Sequence, residues 1–166
     1  MTWTTSPRVG VVPTFTTRIG RKKSLSIAGG RGGAAQPRGG GEAVLFVDCF
    51  NNYHEPENAH AALRVLEAAG YTVHIARAKD GARPLCCGRT FLASGMVEEA
   101  KKEAWRMLAA LKMFVARDVP VVGLEPSCLY TLRDEYPAML PGSQTEALAA
   151  RAMMFEEFLA QEHEAG

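Results

Sequence analysis

The 166-residue sequence predicts a small three-layer α/β domain with a mainly parallel sheet over residues 42–166. Three segments rich in apolar and β-branched residues lie at 43–49, 71–76 and 119–124. Such runs are typical of strands that are buried on both faces. Segments with helical periodicity separate them, which favours right-handed crossovers between parallel strands. No apolar run reaches the roughly 18 residues of a membrane-spanning helix, so we expect no span.

Each predicted strand is followed by a predicted helix. The first long helix begins at Pro56, a residue favoured in a first turn, and the chain stops being helical at Gly70. A longer amphipathic helix covers 96–115, with the segment EEAKKE on its solvated side. A short helix follows the third strand, and we expect the Ser127 hydroxyl to cap it. The last predicted helix lies near 143–163.

The first 41 residues differ in composition from the rest of the chain. They contain seven of the 19 Lys and Arg residues and none of the 18 acidic residues. The segment GRKKSLSIAGGRGGAAQPRGGG is rich in glycine, has no periodicity and offers few large apolar residues. We therefore expect residues 1–41 to be a disordered or spurious N-terminal segment. It has no secretory signal pattern, and we expect no nucleic acid as a partner.

The chain contains four cysteines, and each follows a predicted strand. Cys49 ends the first strand, Cys86 and Cys87 follow the second, and Cys128 follows the third. Because parallel strands deliver their following loops to one edge of a sheet, we expect the four thiols to converge at that edge. This placement favours a centre bound by thiolates.

The adjacent cysteines limit the kind of centre. Neighbouring thiols are poor disulfide partners and are difficult to place at two tetrahedral positions on one zinc ion. An iron–sulfur cluster spreads its ligands over several iron atoms, which favours a cluster. Gly88 would let the backbone approach the cluster and leave amide groups for its sulfides, and Arg89 would add positive charge or pair with an acid. A zinc-stabilised or metal-free docking module and a thiol–disulfide site at Cys86 and Cys87 are the alternatives.

The segments LCCGR and GLEPSC, preceded by a cysteine after the first strand, resemble a known family. It is the cysteine-rich CCG domain found in heterodisulfide reductase and in the iron–sulfur subunits of glycolate oxidase. The segments CCGRTFLASG and VGLEPSCLYTLRDE are most similar to the C-terminal part of bacterial FAD-linked oxidases of the D-lactate dehydrogenase or glycolate oxidase kind. The likeness covers about residues 43–163.

The resemblance implies a 4Fe–4S cluster, cubane or noncubane, held by the four cysteines. It implies electron transfer from a flavoprotein that oxidises a 2-hydroxy acid, with FAD and ferredoxin-type centres on partner subunits or other modules. Glu125 stands where the family often has another cysteine, so a carboxylate could replace that ligand. The chain would then be part of an oxidoreductase and not a complete enzyme. It would lie in the cytoplasm or, through its complex, at the inner face of the membrane.

Four further residues near the predicted site allow two interpretations each. His54 lies just after the first strand, where it could contact a ligand or be structural. Phe50, Tyr53 and Phe91 could face a partner domain or fill the core.

Overall fold

The computed structural model describes residues 40–79 and 83–165. Its sheet has four parallel strands, namely β1 (Glu42–Phe46), β2 (Thr72–Ile75), β3 (Val121–Gly123) and β4 (Ala152–Met154). The strand order is β2-β1-β3-β4. The predicted α/β class with a parallel sheet is confirmed. The expectation of disorder for residues 1–41 falls almost entirely outside the described residues.

The described part of the chain contains eight α-helices and one π-helix. They are α1 (Cys49–Tyr53), α2 (Pro56–Ala68), α3 (Arg89–Ala93), α4 (Val97–Val115), α5 (Pro126–Tyr130), the π-helix (Thr131–Glu135), α6 (Tyr136–Met139), α7 (Ser143–Arg151) and α8 (Phe155–Ala165). None of these helices is long and apolar enough to cross a membrane.

The two faces of the sheet are covered by different helices. Side chains alternate along a strand, so Val44 and Phe46 of β1 pack into one cluster with α4, the π-helix and α7. Leu45 of β1 packs on the opposite face against α2, and Ala43 packs there with α2 and α8. The result is the predicted three-layer arrangement, with β1 and β3 buried on both faces.

The last predicted helix is interrupted, and the prediction of one helix near 143–163 is wrong in this respect. Residues Ala152–Met154 leave the helix and form β4, which pairs in parallel with β3. Alanine and methionine favour helices by intrinsic propensity. Here the backbone bonds to β3 and the burial of Ala152 and Met154 override that preference.

The strand order creates a crevice at the carboxyl edge of the sheet. The chain leaves β1 toward β2 on one side and returns past β1 to β3 on the other side. The carboxyl ends of β1 and β3 therefore flank a topological switch point, where the following loops diverge and ligands commonly bind. The helices α1 and α5 begin at this point.

Candidate functional site

The four cysteines meet at the switch point, as their positions after the strands predict. Cys49 is the first residue of α1, Cys128 lies within α5, and the doublet Cys86–Cys87 precedes α3. The Cys49 thiol hydrogen-bonds to Cys86, and the Cys87 Sγ lies 3.1 Å from the Cys128 Sγ. All four are free thiols, with Cys87 buried and the others half-buried.

Cys49 is held by the cap of its own short helix. Asp48, which is fully buried, accepts hydrogen bonds at Oδ1 from the backbone N–H groups of Phe50 (2.9 Å) and Asn51 (3.0 Å). The Asn51 side chain donates to Asp48 Oδ2 at 2.6 Å. The cap satisfies the first amides of α1 and so fixes the start of this helix. Because Cys49 is its first residue, the cap also fixes the position of the Cys49 backbone at the edge of the sheet.

Cys128 is held by Glu125. The Glu125 carboxylate is the N-cap of α5 and accepts hydrogen bonds from Cys128 N and from Ser127 Oγ, both at 2.7 Å. The expectation that Ser127 caps this helix is therefore wrong, because its hydroxyl donates to the capping carboxylate. Burial raises the pKa of Glu125, but the hydrogen bonds from Ser127 and Cys128 outweigh it, and the pKa is lowered.

The backbone after the doublet turns its N–H groups toward the sulfurs. Gly88 N lies 3.5 Å from Cys86 Sγ, and Arg89 N lies 3.4 Å from Cys87 Sγ. Gly88 adopts the left-handed conformation, with φ of 85°, which makes this turn possible. The Arg89 guanidinium pairs with Glu135 at 2.8 Å. The expected salt bridge to an acid is therefore present, and it offsets the positive charge of Arg89 beside the thiols.

Close packing also explains why residue 88 is glycine. A Cβ atom there would lie 3.1 Å from the Ala100 carbonyl oxygen and 3.3 Å from the Glu103 Cβ. The position that a side chain would occupy at residue 88 is therefore filled by α4. Gly88 lets the doublet lie directly against that helix.

Ion pairs to the buried Glu103 carboxylate tie the segment before the doublet to α4. Glu103 is only 3% exposed and pairs with Arg83 and with Arg106, the latter at 3.0 Å. Arg106 also donates to the Arg83 carbonyl oxygen at 2.7 Å. The pattern EEAKKE placed Glu103 on the solvated side, and this interpretation is wrong. Glu103 follows Ala100 by three residues and therefore shares its buried face.

Tyr136, a residue that no sequence pattern singled out, supports the doublet from the core. Its side chain is fully buried, and its hydroxyl donates to the Cys87 carbonyl oxygen at 3.0 Å. Burial raises the pKa of Tyr136 well above its ordinary value, and the nearby thiols add to the increase. The phenol is therefore a neutral donor to the backbone of the site.

The thiols differ in acidity because of the direction of their hydrogen bonds. Cys86 accepts a hydrogen bond from the Cys49 thiol, which lowers its pKa. The bond donated to Cys86 raises the pKa of Cys49, and the bond donated to Cys128 raises that of Cys87.

The four cysteines supply the donors for a thiolate-bound centre. The donor set consists of four sulfurs from three parts of the chain and two backbone N–H groups directed at them. Over the described ranges, no group of three or more His, Cys, Asp or Glu side chains is arranged to hold a metal ion. Two of the sulfurs, those of Cys87 and Cys128, are in contact. Four cysteine sulfurs with backbone amides directed at two of them are the ligand chemistry that an iron–sulfur centre uses.

The aromatic residues around Cys49 point outward. Phe50 is 49% exposed and Tyr53 is 42% exposed, so neither fills the core. Phe91 is half-buried. His54 is exposed and stacks on the Phe50 ring, with 5.4 Å between ring centroids. The structure therefore places Phe50 and Tyr53, but not Phe91, on an open surface beside the thiols.

Comparison with known families assigns the chain to one of them. Residues 43–133 match the model of the CCG family, described as a cysteine-rich domain, and these residues are more than half of the chain. The chain belongs to this family. The matched range contains all four cysteines and the strands that position them.

Two curated relatives are similar to this chain. One subunit of the anaerobic glycerol-3-phosphate dehydrogenase of Escherichia coli (strain K12) is 30% identical over 100 residues, which cover 60% of this chain and 24% of that protein. Lactate utilization protein A of Lysinibacillus sphaericus (strain C3-41) is 38% identical over 80 residues, which cover 45% of this chain and 33% of that protein. The chain thus aligns with a third or less of each relative's length. No solved structure matches it.

Proposed function

We propose that residues 42–166 form an iron–sulfur electron-transfer domain of a flavin-dependent 2-hydroxy acid oxidoreductase of the lactate or glycolate kind. The observation that supports this most directly is the convergence of the four cysteines at the carboxyl edge of the sheet, where the Cys87 and Cys128 sulfurs lie 3.1 Å apart. A bound 4Fe–4S cluster, cubane or noncubane, would supply a carrier for electrons at this edge. Family membership and the similarity to part of a dehydrogenase support the same conclusion.

The proposed ligands are Cys49, Cys86, Cys87 and Cys128. The amides of Gly88 and Arg89 would hydrogen-bond to sulfur and stabilise its negative charge. Glu125 accepts both of its hydrogen bonds at Oε2, so its proposed role is to hold α5 in place, and its Oε1 atom is a possible further ligand.

The proposed partners are a flavoprotein that oxidises the hydroxy acid and ferredoxin-type modules or subunits that pass electrons onward. Hydride removal needs an organic cofactor, and we assign FAD to the partner or to another domain. Phe50 and Tyr53 are exposed next to Cys49, and aromatic residues are enriched at protein interfaces. The assembly would work in the cytoplasm or at the inner face of the membrane through its partners.

The proposal is tested by measuring the iron and acid-labile sulfide content of the full chain, which is purified and reconstituted without oxygen. We expect about four irons and four sulfides per chain, with visible and electron paramagnetic resonance signals of a cluster. The variant Cys86→Ser/Cys87→Ser should lose them. Ser94→Ala, which removes an exposed hydroxyl bonded to the Thr90 carbonyl oxygen, should retain them. A wild-type chain that binds no iron after reconstitution would refute the electron-transfer function.

The short distance between Cys87 and Cys128 supports one other function, a thiol–disulfide exchange site. Their sulfurs would form a bond while a disulfide partner takes two electrons and two protons and becomes two thiols. This pair differs from Cys86 with Cys87, the pair that the sequence suggested. A chain without iron that forms a Cys87–Cys128 disulfide with oxidised glutathione, detected by peptide mass spectrometry, would favour this function.

A further inference from the structure

The Cys87–Gly88 peptide group lies between two partners. On one side its carbonyl oxygen accepts the hydrogen bond of the buried Tyr136 hydroxyl, at 3.0 Å. On the other side its N–H group, which belongs to Gly88, lies 3.5 Å from Cys86 Sγ. A trans peptide is planar, and its C=O and N–H bonds point in opposite directions. Fixing the oxygen on Tyr136 therefore directs the Gly88 N–H toward the Cys86 sulfur.

The same peptide orientation affects the next amide. Gly88 has φ of 85°, and this left-handed turn brings Arg89 N to 3.4 Å from Cys87 Sγ. A rotation of the Cys87–Gly88 peptide would change the direction of the chain at Gly88 and move both amides. Tyr136 can resist that rotation because its ring is fully buried in the core cluster with Leu129 and Leu132.

We propose that Tyr136 is a positioning residue that sets the amide-to-sulfur hydrogen bonds of the cysteine doublet and thereby the reduction potential of the centre bound there. The effect of Tyr136 on the reduction potential rests on the proposed function, because it requires a bound iron–sulfur centre. Hydrogen bonds to cluster sulfurs stabilise the more negative, reduced form. Removal of the Tyr136 hydroxyl should therefore shift the potential to more negative values.

The test compares Tyr136→Phe with Tyr71→Phe in the full chain. Both variants remove one phenolic hydroxyl, but Tyr71 bonds to Glu162, at the opposite edge from the cysteines. The first measurement is hydrogen exchange of the Gly88 amide by NMR in protein without iron. We expect exchange to be about tenfold faster in Tyr136→Phe, which corresponds to the loss of one ordinary hydrogen bond, and unchanged in Tyr71→Phe.

The second measurement is the midpoint potential of the reconstituted protein. Tyr136→Phe should keep its iron and sulfide and shift the potential to more negative values, while Tyr71→Phe keeps the wild-type value. An unchanged potential with faster Gly88 exchange would overturn the tuning role, and unchanged exchange would overturn the positioning role. If Tyr136→Phe fails to fold, the hydrogen-exchange rate of the Gly88 amide in the wild type tests the proposal. A rate as fast as that of an exposed loop would refute it.

The two proposals fail in different ways. A chain that never binds iron removes the electron-transfer function, yet the Gly88 exchange rates still measure whether Tyr136 orders the doublet. A chain that binds iron and shows no response to Tyr136→Phe supports the function and refutes the role of Tyr136.

Discussion

The sulfurs of Cys87 and Cys128 lie 3.1 Å apart, although they are 41 positions apart in the sequence. Each cysteine is held by a hydrogen bond with another residue: the Tyr136 hydroxyl binds the Cys87 carbonyl oxygen, and Glu125 binds the Cys128 amide. The contact therefore depends on anchors outside the thiols. Substitution of such anchors should disturb the site while all four cysteines remain.

Asp48→Ala should destabilise the chain and loosen Cys49. The variant removes the N-cap of α1 and leaves the amides of Phe50 and Asn51 without their acceptor. We expect the free energy of unfolding to fall by about 2 kcal/mol, measured by urea denaturation with the thiols reduced. Asp48→Asn retains one acceptor oxygen for the cap and should lose roughly half as much. Equal stability of Asp48→Ala and the wild type would contradict the capping role.

Gly88→Ala should cost more stability than Gly95→Ala. Both glycines have positive φ, 85° and 75°, so an L residue at either position carries a penalty of about 1–2 kcal/mol. A Cβ at Gly95 would meet nothing within 4 Å, whereas at Gly88 it would crowd Ala100 and Glu103 of α4. The difference between the two variants in thermal or urea unfolding isolates the cost of crowding. Equal losses would show that α4 yields to the new methyl group.

The sequence predicted the class of fold because its signals are local. Buried strands such as Glu42–Phe46 appear as continuous apolar runs, and helix Pro56–Ala68 has a proline at its start and an apolar repeat. The meeting of the four cysteines could also be predicted, because parallel strands of any sequence send their loops to one edge. That inference needed the strand positions but no knowledge of distant contacts.

The sequence did not predict β4, the π-helix or the role of Tyr136, because these depend on long-range contacts. Ala152–Met154 becomes a strand only through pairing with β3. The π-helix at Thr131–Glu135 widens the helical turn between Cys128 and Tyr136, and the residue types in this segment do not indicate such a turn. Tyr136 acts on Cys87, 49 positions away in the sequence.

Glu103→Ala should loosen the segment that carries the cysteine doublet. The variant removes the buried carboxylate that pairs with Arg83 and Arg106, and we expect a loss of about 2 kcal/mol in unfolding free energy. Cys86 should also react faster with a thiol reagent in native conditions, since Arg83 no longer holds the preceding segment to α4.

Glu99→Ala is the matched control for Glu103→Ala. Glu99 lies on the same helix and pairs with Lys102 at 3.8 Å on the surface, so its loss should cost about 0.5 kcal/mol or less. It should leave the reactivity of Cys86 unchanged. Similar losses in the two variants would show that burial gives the Glu103 pairs no additional importance.

Glu157 should make stability depend on pH in the acidic range. The Met154 amide, which donates to Glu157 Oε2 at 2.9 Å, and Arg133 lower the pKa of this carboxyl from its ordinary value of 4.5. A group with a lowered folded pKa contributes stability that is complete above its unfolded pKa and is lost as the pH falls through the folded value. Glu157→Gln should therefore be less stable than the wild type near neutral pH, and the difference should shrink as the pH falls below 4.5 and through the lowered folded pKa.

Urea unfolding of both proteins between about pH 7 and pH 3 measures this difference. The carboxyl is exposed, so we expect only a small difference at neutral pH. Glu156→Gln, a substitution of the exposed neighbour on α8, should follow the wild-type curve throughout. If the difference in unfolding free energy between Glu157→Gln and the wild type stays constant with pH, the new side-chain amide has changed the packing. The charge of Glu157 would then not be what stabilises the start of α8.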